Sequence, residues 1–146
     1  MARLTVNESG TSGYTDEVIV KPSDFTTAAG NTTTTISIPV ADGDVCDGVA
    51  LKVTTAFAGI GAATLDVGSD ANSGVDDIDG FIDAFAINST GAVANSGDYL
   101  DGTTAQRAVF TGTGNIVITG TPGSGAMADA TAGELKVLLS IKRVDA

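Results

Sequence analysis

The chain has no histidine and no tryptophan, and a single cysteine, Cys46. Without histidine it cannot build a Ser-His-Asp triad, a Cys-His dyad or an imidazole-ligated metal site. One thiol makes no intrachain disulfide, so the fold must rest on its core. Aromatic residues amount to 5%, too few for the stacking platforms that usually hold a sugar ring. Three prolines, and 19 glycines without a collagen period, exclude a proline-rich linker and a triple helix. No apolar run approaches the ~20 residues of a membrane helix. The opening Met1 to Gly10 carries one cation and no apolar h-region, unlike a secretory signal peptide. A soluble product made in a cytoplasm is therefore expected. Cations are scarce: 7 Lys and Arg against 18 Asp and Glu give a formal charge of −11. That field repels phosphate backbones and anionic lipid, so neither nucleic acid nor a membrane is expected as a partner.

What remains is a chain of 146 residues, 42% hydrophobic, suited to one domain. Its apolar mass is Val, Ile, Leu and Ala, with Thr interleaved and Gly between. Such composition predicts many short strands joined by tight loops. Glu17–Lys21 reads as a strand, ended or placed at an edge by Pro22. From Thr33 to Val40 apolar and polar residues alternate, with Ile36, Ile38 and Val40 on one face, as a half-buried strand requires. Ala41–Asp44 and Asp47–Gly48 are turn signals. Val49–Phe57 follows as a strand with Leu51, Val53 and Phe57 inward and Lys52 outward. Gly59 and Gly61 suggest a turn that pairs it with Ala63–Val67 as a hairpin.

Gly68 to Asp101 is richer in Asp, Asn, Ser and Gly. Here a loop leading into a strand at Phe81–Ile87 is expected, with one helical turn as the alternative. Arg107–Thr111 and Asn115–Gly120 are further strands. Glu134–Val144 is the longest, with Leu135, Val137, Leu139 and Ile141 on one side. Its apolar strength predicts a central place in its sheet. Leu138 breaks the opposite, polar face, as does Val144. The fold class expected is all-β: a two-sheet antiparallel sandwich or jelly roll of about eight strands. Its core should hold Ile36, Ile38, Leu51, Val53, Leu65, Val67, Ile116, Ile118, Leu135, Val137 and Leu139. Residues 1–15 read as a polar N-terminal arm, with one short strand near Leu4 and Val6, and residues 16–146 as the sandwich.

Active-site patterns are sparse. Asp76, Asp77 and Asp79 before Gly80, with Asp83 after it, bring hard oxygens to a turning backbone, as calcium prefers. Placing Gly80 at the sixth position of an EF-hand loop puts Val75 and Ala86 at the ligand ends, so that motif fails. A solvated acidic loop is the plain reading, and no metal or cofactor is expected. Asp66, Asp98 and Asp101 could be paired as a glycosidase would pair them, but so could many others. Cys46 lies between Asp44 and Asp47, whose charge raises a thiol pKa, so a small buried thiol is expected rather than a nucleophile. Gly112–Gly114 and Gly123–Gly125 lack the third glycine and the helix of a phosphate cradle and read as turns. Sequons at Asn7, Asn31 and Asn88 are chance matches in such a composition.

The order of segments nevertheless has a recognisable pattern. Val20-Lys21-Pro22-Ser23-Asp24-Phe25 leads through Gly30-Asn31-Thr32 into an Ile-rich alternating strand. Gly48-Val49-Ala50-Leu51-Lys52-Val53 and Ala63-Thr64-Leu65-Asp66-Val67-Gly68 follow, then Asp79-Gly80-Phe81. Gly114-Asn115-Ile116-Val117-Ile118-Thr119-Gly120-Thr121-Pro122 precedes the long closing strand. From about Val20 to Val144 this resembles the small virion proteins of tailed bacteriophages, particularly jelly-roll head decoration, or cement, proteins. The resemblance implies a non-enzymatic protein on the capsid outer surface, assembled in the host cytoplasm. It implies binding to the major capsid protein and to itself, as a homotrimer, stabilising the lattice against internal pressure. Leu4, Val6 and Tyr14 on the arm, with Leu138 and Val144, are the expected capsid or inter-subunit contacts. The alternative is a head-fibre or tail-appendage module that binds a host receptor or carbohydrate through Phe81, Phe85 and Tyr99.

Overall fold

The structure, a computed structural model, describes residues 3–6, 14–25, 34–95 and 108–144. Asn7, Asn31, Asp98, Tyr99, Asp101, Arg107 and most of the arm lie outside these. Among the described residues there are ten strands, three single turns of 3-10 helix and no α-helix. The strands are β1 (Arg3–Val6), β2 (Asp16–Val20), β3 (Thr34–Val40), β4 (Val45–Ala58), β5 (Thr64–Ser69), β6 (Asp77–Ala86), β7 (Val93–Asn95), β8 (Ala108–Val109), β9 (Gly114–Thr121) and β10 (Ala132–Lys142).

The first sheet runs β1-β2-β10-β4-β7, with β8 pairing β4 beyond β7, and the second runs β3-β9-β5-β6. Every pairing is antiparallel. From β2 onward the pairs nest: β2 with β10, β3 with β9, β4 with β7, β5 with β6. That nesting is a jelly roll, a long antiparallel ribbon folded so that its two layers face each other. β1 adds a further strand outside β2, making six in the first sheet with β8.

The physical cause is the shared alternation phase. Val18 and Val20, Leu51 and Val53, and Leu135, Val137 and Leu139 point inward from the first sheet. Ile36 and Ile38, Leu65 and Val67, and Ile116 and Ile118 point inward from the second. All are buried in one cluster, so each sheet covers the apolar face of the other. Every residue expected in the core is there. β10 sits between β2 and β4, as its composition predicts.

Three local expectations are corrected. Gly59 and Gly61 do not make a hairpin, because β4 and β5 belong to different sheets. Both glycines have positive φ, and the turn carries the chain across the sandwich with Ile60 buried beneath it. Asp47–Gly48 is no turn either. Gly48 faces Ser140 and Cys46 faces Ile141, so Asp47 is the extra residue of a bulge within β4. The long hydrogen-bonded ladder to β10 holds this stretch extended through its turn-forming residues. The apolar island after Gly68 is a strand, as expected, but β6 starts earlier, at Asp77, and ends at Ala86.

The loops are tied by side chains. Asn88 donates to the carbonyls of Phe57 and Gly61 and accepts from the Ala63 N–H, bracing the crossing turn. Asp70 accepts from the backbone N–H groups of Ser73 and Asn115 and from Asn115 Nδ2. The Asn115 side-chain bond leads in holding the Asp70 carboxyl below its usual range. Phe25 and Met127 are buried against Gly120, where an added Cβ would lie 2.8 Å from a carbon of each.

Candidate interaction surface

The outward positions of the first sheet form two rows. Ile19, Lys136, Lys52 and Val93 are partners across successive strands. Glu17, Leu138, Ala50 and Asn95 form the next row. Ile19, Leu138 and Ala50 are half-buried, and Val93 is 63% exposed.

Tyr14 joins this face. The Thr15 N–H bonds the Leu139 carbonyl at 2.9 Å, and the Thr15 hydroxyl accepts from the Ile141 N–H at 2.9 Å. Those bonds seat Tyr14 at the side of β10, where an added Cβ on Gly48 would lie 3.8 Å from its ring. Ser140 is buried although it stands on the outward phase beside Gly48. Tyr14 and Leu138 are thus brought onto one face.

The backbone register of β1 and the end of β10 place the other named residues. Register sets Leu4 opposite buried Val18, and Val6 opposite buried Asp16. Val144 lies past the end of β10, 64% exposed, with its N–H donated to Asp44 Oδ1. It therefore stands on no strand face. β4 begins at Val45 opposite Lys142, so the ladder has no partner to continue, and Arg143 turns to Asp16 instead.

Charge divides sharply between the sheets. In the first sheet and its flanks, Asp16 pairs with Arg143, Glu17 with Lys136, Asp47 with Lys142 and Glu134 with Lys21. Lys52 has no carboxylate within ion-pair reach among the described residues. β3, β9, β5 and β6 contain no Lys or Arg, yet hold Asp66, Asp77, Asp79 and Asp83. Burial, with Asp79 nearby, raises the Asp66 pKa despite a 2.5 Å hydrogen bond from the Ala84 N–H. A hydrogen bond with Asp79, then burial, raises that of Asp77.

Cys46 is fully buried and burial pushes its pKa up to about 11, so it stays a thiol. The described residues hold no group of three or more His, Cys, Asp or Glu arranged to bind a metal. Phe81 is buried in the core, and Phe85 is half-buried, so Phe81 offers no ring to a glycan. None of the described helical turns is long and apolar enough to cross a membrane. The pairing of Lys52 with Lys136 is the feature that alternation alone does not disclose, because it depends on strand register. The chain matches no family model, no curated protein and no solved structure.

Proposed function

We propose that this protein is a non-enzymatic decoration protein that binds the outside of a phage head and reinforces the major capsid protein lattice. The observation that carries the reading is the two-sided body. One outer face gathers Tyr14, Ile19 and Leu138 among paired charges, and the other is acidic, its four strands holding no Lys or Arg. A cement protein needs such polarity: an adhesive side toward the lattice and a repulsive side toward solvent. The jelly-roll topology agrees with the family that the sequence resembles. Tyr14 and Leu138 are the proposed lattice contacts, with β1 extending the same edge. The receptor-binding alternative loses one of its three aromatic candidates, because Phe81 packs inward.

The test mixes purified protein with expanded, undecorated heads and measures occupancy by co-sedimentation. Saturable binding by the native chain is expected, with strong loss for Leu138→Asp and Tyr14→Ala while far-UV circular dichroism is unchanged. Absence of binding by the native chain to such heads would refute the proposal. Glycan binding without head binding would favour the fibre reading.

A further inference from the structure

We propose that residues 77–80 form a strap over the outer face of the second sheet, which closes as its carboxylates take up protons and loosens as they ionise. The device is independent of capsid binding. Its first support is register. Ser69 stands opposite Asp77 and Val67 opposite Ile82, so residues 78–81 face Gly68 alone. With that excess β6 cannot lie flat beside β5, and it arches out of the ladder. Gly68 shows where the arch goes. Val67 points inward, so a side chain on Gly68 would point outward. A Cβ there would collide with the backbone of Asp77 and Ile78, so the arch lies on the outer side, in the notch left by the missing side chain. Val117, the partner of Gly68 across the β9–β5 ladder, is 5% exposed although it stands on the outward phase.

Closing the strap brings like charges together. Asp77 is hydrogen-bonded to Asp79, and its carboxyl lies against Gly80, where an added Cβ would meet Asp77 Cγ at 3.0 Å. Asp66 precedes Gly68 by two residues and shares its outward phase. Its carboxylate is fixed in place, because Oδ1 accepts a 2.5 Å bond from the Ala84 N–H. Ala84 has φ 48°, the one positive value outside glycine among the described residues, so that bond pins a strained bulge. Asp66 therefore stays where the charge of Asp79 reaches it, and Asp76 acts on Asp77 in the same sense. β9 and β3 contribute no titratable side chain. β6 also carries Asp83, and Asp70, beyond the end of β5, is held by Asn115 and Ser73. Burial, with Asp79 nearby, raises the Asp66 pKa, and the bond with Asp79, then burial, raises that of Asp77. In the open strap these groups regain water and separation. The closed form thus takes up protons first as pH falls. Its hold is weakest at neutral pH, grows as pH falls through the raised values, and is complete below the ordinary carboxylate range.

Amide hydrogen exchange followed by NMR on the full chain, at about pH 7.5 and about pH 4.5 and corrected for intrinsic rates, tests the strap. Protection of the amides of residues 77–82 should rise by about twofold to fivefold on acidification, the factor for relieving one like-charge contact across strands. That rise should exceed any change at Val137, whose amide in the central strand of the first sheet reports global opening. D77N/D79N removes the charges at nearly constant volume. It should show at the higher pH the strap protection that the native chain reaches only at the lower, and should lose the pH difference. Asp66→Asn leaves the strap sequence intact and should shrink the difference, which keeps the test decisive if the double variant folds poorly. Equal protection at the two pH values, or a fall on acidification, would overturn the proposal. So would a rise matched at Val137, or a pH difference undiminished in the variants.

Discussion

Removing the Arg143 side chain should destabilise the fold by about 3 kcal/mol, at the low end of the cost of breaking a buried ion pair. Asp16 opens β2 and is 1% exposed, and its carboxylate accepts a 2.6 Å bond from Arg143 Nη2. The pair joins residues 127 apart in sequence and fastens the start of the sandwich to the segment after its last strand. In Arg143→Ala, Asp16 keeps its burial and loses its cation. The low end applies because the Arg143 side chain is 30% exposed, so water reaches the vacated space and offsets part of the loss. Asp16→Asn should cost less, about 1 kcal/mol, since a neutral amide is cheaper to bury and its oxygen still accepts from Arg143. Urea unfolding followed by circular dichroism reads both, as a fall in midpoint at unchanged slope. A loss for Arg143→Ala within about 0.5 kcal/mol of zero would show that the ion pair behaves as a surface pair. A larger loss for Asp16→Asn than for Arg143→Ala would refute the desolvation argument.

Leu139→Ala, at a fully buried position in the central strand, should cost about 2–5 kcal/mol in the same assay. Cys46 should not react with an aromatic disulfide reagent in the native protein at about pH 8 and should react stoichiometrically in denaturant. Its unfolded thiol ionises near pH 8.5 and its folded thiol near 11, so stability should decline as pH rises between them. The raised Asp66 carboxyl has the corresponding sign for an acid. The folded state takes up the proton first as pH falls, so Asp66→Asn should be more stable than the native chain at neutral pH. That advantage should vanish once pH falls below the ordinary carboxylate range. Gly68→Ala should cost about 1–3 kcal/mol or block folding, because a Cβ there would collide with the backbone of Asp77 and Ile78 in the paired β6.

The sequence by itself determined the class of fold and the inward residues. Alternation at Ile36, Ile38, Leu51, Val53, Leu135, Val137 and Leu139 is local, since it follows from successive side chains pointing to opposite faces of a strand. The isolation of Cys46 and the failure of the acidic loop as an EF-hand were equally legible, because composition and spacing are properties of the chain. Only the tertiary structure decided which strands pair. Gly59–Gly61 reads as a hairpin turn by its residues, yet β4 and β5 part into different sheets because their apolar faces cover each other across the core. Asp47–Gly48 carries turn chemistry but becomes a bulge under the ladder with β10. The candidate surface is of the same kind. Tyr14, Ile19, Lys52, Val93 and Leu138 are scattered through the sequence, and register between four strands, with the Thr15 bonds to β10, sets them on one face. A one-residue slip would turn each strand's set to the other side, so this face exists only once long-range pairing has fixed that register.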